Sequence, residues 1–215
     1  MKIHRSHRDL PHWYREGSSA IYWITFRLAD SLPQEKAQLL KKERDSFLLR
    51  HPKPWSEEVE KTYRERFNER IQDWLDAGHG SCVLADSEMR SHLVDAIMKF
   101  EGVRHSLVSA VIMPNHVHMI LRPIEHSLGL LLKGIKTTSA RKINEITGHT
   151  GIRFWMEESY DRIIRSKEEL NILREYVRRN PRNLPPDRYW LFDREPPFAL
   201  KSDLGFEVLY AMDHE

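Results

Sequence analysis

His116-Val117-His118 sets two imidazoles two positions apart inside an apolar run, Met113 to Leu121 (MPNHVHMIL). In a strand, residues i and i+2 share a face while the one between points the other way. Both rings would therefore converge, with Val117 anchoring the strand to the core. Two such imidazoles can hold a divalent cation. Buried histidines satisfied by other partners would give the same pattern, so the pair alone does not decide. A second set lies after Ser166. Relative to Leu170, a helical step of about 100° per residue puts Leu173 and Val177 on an apolar stripe, with Tyr176 and Asn180 at its border. These two are i and i+4 and project from adjacent turns of one face. From periodicity alone, a border tyrosine reads as a packing residue with its hydroxyl in water.

The elements that must position these residues can be read in order. Ala20 to Leu28 (AIYWITFRL) is β-branched and aromatic and reads as a core strand, bounded by Ser31 and Pro33. Residues 34–77 turn to Lys, Glu and Arg with interspersed Phe67, Ile71, Trp74 and Leu75, divided by Pro52 and Pro54. They predict a charged helical hairpin inserted between sheet elements. Cys82 to Leu84 reads as a short extended segment, after which Asp86 or Ser87 caps a helix running to about Phe100. Leu107 to Met113 and His116 to Leu121 are two strands joined by the turn residues Pro114 and Asn115. Leu128, Leu132, Ile135, Ile143 and Ile146 recur at helical spacing up to Gly148. The last helix opens on Ser166 and Glu169, a capping-box pattern, and stops at Pro181. Strands interleaved with helices predict an α+β fold, a central antiparallel sheet with helices packed mainly on one face.

The chain has 215 residues, of which 40% are hydrophobic and 31% charged, which fits one folded domain with a full core rather than two domains or a disordered chain. Within it, residues 1–18 form a basic arm and 203–215 an acidic tail. The single Cys82 cannot form an internal disulfide, and no CxxC pair is present to hold zinc. With a histidine-interrupted basic N-terminus and no run of roughly 18 apolar residues, a cytoplasmic protein is expected. Net charge is only +2. Basic residues nevertheless recur from Arg141 through Arg153, Arg162 and Arg165 to Arg182, while acidic ones collect after Asp203, a distribution that can build a basic face.

Taken together, MPNHVHMIL and YVRRNP (Tyr176 to Pro181) resemble the HUH superfamily of single-strand nucleases, named for two histidines flanking a hydrophobic residue. Within it the sequence is similar to the single-tyrosine transposases of insertion sequences, and most of all to their domesticated branch associated with repetitive extragenic palindromes (REP). YWITFRLADSLP, WLDAGHGSCVL, KTTSARKIN and FWMEESYDRIIRS extend the likeness over most of the chain. The spacing of the two motifs, 176 − 118 = 58 residues, suits that branch. The resemblance implies a ferredoxin/RRM-like fold in which His116, His118 and Asn180 bind Mg²⁺ or Mn²⁺ and Tyr176 attacks DNA. The product would be a 5′-phosphotyrosine intermediate, which stores bond energy for strand transfer. Tyr160 is the rival nucleophile, for which the resemblance implies a structural or DNA-contacting role. The implied substrate is a palindromic DNA hairpin with a single-stranded flank. Lys133, Lys136, Arg141, Lys142, Arg153 and Arg162 would hold its phosphates, and Trp155, Trp13 or Tyr14 would stack on unpaired bases. A monomer is expected, with a dimer exchanging tyrosine helices as the other arrangement. Two other readings stay open: a domesticated protein that binds hairpins without cutting them, and a zinc hydrolase using a third ligand such as a carboxylate or His149.

Overall fold

The computed structural model describes residues 4–7, 11–14, 20–124, 126–157, 159–194, 198–201 and 207–210, with side chains over 20–124, 126–157 and 159–194. Two short hairpins stand near the ends: β1 (His4–His7) pairs with β2 (Pro11–Tyr14), and β8 (Phe198–Lys201) with β9 (Glu207–Tyr210). The rest of the basic arm and acidic tail, and the side chains of Trp13 and Tyr14, lie outside the described residues.

Five strands make the central sheet: β3 (Tyr22–Arg27), β4 (His105–Ile112), β5 (His116–Pro123), β6 (Tyr160–Ile163) and β7 (Trp190–Asp193). Their order is β6-β3-β5-β4-β7, antiparallel throughout. With α4 (Ser87–Met98) between β3 and β4, and α5 (Leu128–Ile146) between β5 and β6, the chain runs β-α-β-β-α-β. That order, with the first and third strands at the centre, is the ferredoxin/RRM-like arrangement. After β6 comes α6 (Lys167–Arg179), and β7 then adds to the free edge of β4.

Alternation along the strands sorts the side chains into two cores. Tyr22, Ile24 and Phe26 of β3, with Val117, Met119 and Leu121 of β5, pack under α4 and α5. The intervening residues, Trp23, Val111 and Ile120 among them, face α6 through Leu170 and Val177. This second face carries His116 and His118. Caps fix where the helices start: Asp86 accepts from the N–H groups of Glu88 and Met89, and Ser166 from that of Glu169.

The expected insertion is a helical hairpin. It comprises α1 (Gln34–Arg50), then α2 (Glu57–Tyr63), which passes through a π-helical segment (Arg64–Glu69) into α3 (Arg70–Asp76). Phe47, Tyr63 and Phe67 give it a small core of its own. Its return to the sheet is tight. Gly80 has φ of 90°, and a Cβ there would meet the Asp30 carbonyl oxygen at 2.5 Å, while the Ser81 N–H donates to the Asp30 carboxylate at 2.7 Å. The segment from Cys82 to Leu84 is not extended. Cys82 is left-handed (φ 49°) and opens a 3-10 turn, Val83–Ala85, because the chain must reverse from α3 into α4 while burying Leu84.

Candidate active site

Thr25, opposite His118 in the β3–β5 register, sets the site's first contact. Its Oγ1 lies 2.8 Å from His118 Nδ1, while Gln72 Nε2 on α3 lies 3.0 Å from His118 Nε2. An amide NH2 can only donate, so Nε2 presents its lone pair and Nδ1 carries the proton toward Thr25. His116 reaches the same tautomer by another route. Asn115 donates its Nδ2 to the carbonyls of Leu75 and His79 at the end of α3, so its Oδ1, 2.7 Å from His116 Nδ1, accepts the imidazole proton. Both Nε2 lone pairs therefore face the side of Gln72, whose Nε2 is also 3.5 Å from His116 Nε2. This is the tautomer a metal-binding histidine needs, fixed by the bond its other nitrogen makes.

Neither histidine is exposed. Burial pushes the His116 pKa down to about 3, and burial together with the neighbouring His116 pushes His118 well below the ordinary value, so both rings are neutral. Trp23 stacks on His118 at 5.0 Å and 12°. Against the same histidine, Tyr176 sets its ring edge-on at 5.3 Å. Leu170 and Val177 press α6 onto the sheet, and the buried Arg174 ties it to β7 by two bonds to the Asp193 carboxylate at 3.0 and 2.8 Å. Asn180 Nδ2 donates to the Tyr176 hydroxyl at 3.2 Å. Its Oδ1 is buried without a hydrogen-bond partner among the described residues.

An amide oxygen without a partner and two imidazole lone pairs on the same face are donors that a divalent cation such as Mn²⁺ can use. Among the described residues no cluster of three or more His, Cys, Asp or Glu side chains is placed to hold a metal. Of the third ligands open to a zinc hydrolase, His149 instead bonds Thr147 beyond the end of α5, whereas the Asp76 carboxylate lies 3.6 Å from His116 Nε2.

Tyr176, Asn180, His116 and His118, expected together from sequence, are thus gathered on one face. Tyr160 shares that face, since Thr25 pairs with both Tyr160 and His118. With β3 between them, Tyr160 stands two strand spacings from His118, about 9–10 Å.

The expected DNA contacts fare differently. Lys133, Arg141 and Lys142 are exposed on α5, across the sheet from the histidines, because the apolar stripe of α5 packs on the opposite face. Lys136 is a structural clamp: its Nζ donates to the carbonyls of Met156 at 2.6 Å and Glu157 at 2.9 Å. Trp155 does not offer a stacking surface; it is 5% exposed, set edge-on to Phe26, and donates its Nε1–H to Ser139. Arg162 pairs with Glu169, and Arg153 is exposed beside Glu157. Nor do basic side chains activate the phenol. Burial, then Asp76, raises the pKa of Tyr176, while Arg178 and Arg179 pair with Asp193 and Glu175.

Gln72, Asp76, Asn115 and Thr25 were not singled out from sequence. Gln72 and Asp76, i and i+4 on α3, form one polar edge beside the buried Leu75, and Asp76 Oδ1 lies 3.6 Å from His116 Nε2. That spacing was the available signal. Asn115, read only as a turn residue, both caps α3 and orients His116.

One solved structure similar to this chain is a REP-associated tyrosine transposase bound to a REP hairpin, at 15% identity and a TM-score of 0.42, covering 92% of this chain and 98% of the other. Another is a candidate transposase from Deinococcus radiodurans R1, also at 15% identity, with a TM-score of 0.32 and coverage of 78% and 95%. None of the curated proteins matches. The family described as "Transposase IS200 like" matches residues 83–180, a span that holds both histidines, Tyr176 and Asn180 and leaves out β3 and the insertion.

Proposed function

We propose that the protein is a site-specific endonuclease and strand transferase for single-stranded DNA, with Tyr176 as nucleophile. The observation that carries this reading is the phenol edge-on to His118, beside two imidazole lone pairs turned to one side. Tyr176 Oη attacks the phosphorus and the bond to the 3′-oxygen breaks. The phenol gives up its proton, the departing strand ends in a 3′-hydroxyl, and the 5′ end stays on tyrosine. Attack by a 3′-hydroxyl then reverses the exchange and releases the phenol. No ATP is needed.

His116, His118 and Asn180 would hold the cation, Mn²⁺ more tightly than Mg²⁺. When bound, it polarises the phosphoryl oxygens and favours the phenolate. The protein's own residues do the rest. Thr25 and Asn115 keep the imidazoles in the cation-binding tautomer, Trp23 floors the site, and the Arg174–Asp193 pair fixes the helix that aims Tyr176. Because that tyrosine rests on the histidine of its own chain, the arrangement supports a monomer acting in cis.

The substrate we infer, from the likeness to the REP-associated branch, is a palindromic hairpin beside a single-stranded flank, in a cytoplasmic, nucleoid-associated setting. Incubating the protein with labelled flanked hairpins and Mn²⁺ tests this. Cleavage that Tyr176→Phe abolishes and Tyr160→Phe retains supports the reading. Hairpin binding without cleavage favours a regulatory binder, and cleavage that survives Tyr176→Phe favours a water-using hydrolase.

A further inference from the structure

Between the insertion and the sheet lies a cavity of about 920 Å³, bounded by α1 and the π-helical segment on one side and by β3 and β6 on the other. Its lining is strongly basic: Arg27, Lys41, Arg44, Arg64, Arg153 and Arg162 stand against two glutamates. Several of these charges are matched, Arg162 by Glu169 and Arg153 by Glu157. Arg27 is not. Its guanidinium bonds the Ser31 hydroxyl at 3.0 Å and, among the described residues, has no carboxylate within ion-pair distance. Arg64 likewise has none. Burial lowers the Arg27 pKa to about 10, the mark of a cation held partly out of water without a counter-charge. Tyr160 supplies an aromatic wall, and the cavity opens onto Gln72 and Tyr176.

We propose that this cavity is the binding site for the unpaired DNA strand next to the scissile phosphate, with Arg27 and Arg64 on backbone phosphates and a base against Tyr160. The assignment rests on the single-strand reading of the site. It moves the strand from the outer face of α5 to the space roofed by the insertion. The volume lies within the range of small-ligand sites, about 300–1,000 Å³, and is enough for a short stretch of strand rather than a duplex. Unmatched arginines beside an aromatic surface are what single-strand binding requires. Arg27 shares the sheet face of His118, two residues along from Thr25, so a phosphate held there lies on the strand's path to Tyr176.

The test uses full-length Tyr176→Phe protein in EDTA, so that neither cleavage nor metal contributes, with fluorescent oligothymidine as the probe. Arg27→Gln and Arg64→Gln should each weaken binding about five-fold or more. Each should also flatten the plot of log affinity against log salt by about 0.7, the value of one lost single-strand phosphate contact. Asn68→Trp, which fills the cavity from the insertion side, should weaken binding without removing a charge. Arg64 and Asn68 are not core residues, so those variants remain informative if Arg27→Gln fails to fold. Unchanged affinity in Arg64→Gln and Asn68→Trp, with loss in Lys133→Ala plus Arg141→Ala, would overturn the assignment. A wild-type protein that never cleaves yet shows the Arg64 and Asn68 effects defeats the nuclease reading and leaves the cavity site standing.

Discussion

Replacing Gln72 by Ala should tighten metal binding and weaken the metal-free fold at the same time. The Gln72 amide stands in front of both lone pairs a cation would use, at 3.0 Å from His118 Nε2 and 3.5 Å from His116 Nε2. The first is a good hydrogen bond and the second is at the limit of one. A cation that bonds both nitrogens must displace that amide, so the bond's net worth, about 0.5–1.5 kcal/mol, is subtracted from the binding free energy. Removing the side chain removes that competition. Since about 1.4 kcal/mol is a factor of ten, Mn²⁺ affinity should rise roughly 2- to 12-fold. Without metal, the same change removes that bond and should cost the matching amount, about 0.5–1.5 kcal/mol of stability. Titration calorimetry with Mn²⁺ reads the first quantity and urea unfolding in EDTA the second. Weaker Mn²⁺ binding by Gln72→Ala would refute the reasoning, because it would mean that the amide turns its oxygen to the ion and serves as a ligand. Equal affinity would mean that α3 does not cover the histidines in solution.

Further expectations concern the frame of the site. The folded His116 pKa, about 3, lies below the unfolded value of about 6.5, and His118 is shifted the same way. The stability from keeping these rings neutral is therefore complete above pH 6.5 and lost as pH falls toward 3. In EDTA, unfolding free energy should drop by about 1.4 kcal/mol per histidine per pH unit in that window, and a His116→Ala, His118→Ala double variant should lack this slope. Arg174→Ala should destabilise the fold by about 3 kcal/mol, the low end for a broken buried pair because Arg178 still meets Asp193. Denaturant melts check it, with a loss under 1 kcal/mol counting against the anchoring role. Lys136→Ala should cost about 2 kcal/mol of stability and leave the salt dependence of DNA binding unchanged, because its ammonium holds the carbonyls of Met156 and Glu157.

What could be read from the sequence, and what could not, follows from how far each signal reaches. His116 and His118 were legible because strand alternation is a local rule, and the apolar residues between and around them fixed which face they share. The Tyr176–Asn180 edge was legible for the same reason on a helix. Helix α3 was not, although its helical character was: a charged helix announces its secondary structure but not where it docks. The contacts of Gln72 and Asp76 depend on Asn115 capping the end of α3, a link between positions forty residues apart. For the basic residues of α5 the reach of the signal is different. Their exposure was read well, but the side of the sheet on which α5 lies is set by the crossover and not by its charges. Trp155 and Lys136 show that a large ring or an ammonium looks the same in sequence whether it meets DNA or, as in this fold, the Ser139 hydroxyl and the carbonyls of Met156 and Glu157.

The central claim, that the Tyr176 phenol becomes covalently joined to DNA, is tested most directly by peptide mapping. A single-stranded flanked hairpin is reacted with the protein and Mn²⁺, trapped in denaturant, digested with trypsin and nuclease, and analysed by tandem mass spectrometry. The account predicts a nucleotide attached through phosphate to the peptide containing Tyr176 and unmodified Tyr160. Cleaved DNA with no modified peptide, or a nucleotide on Tyr160, would contradict it.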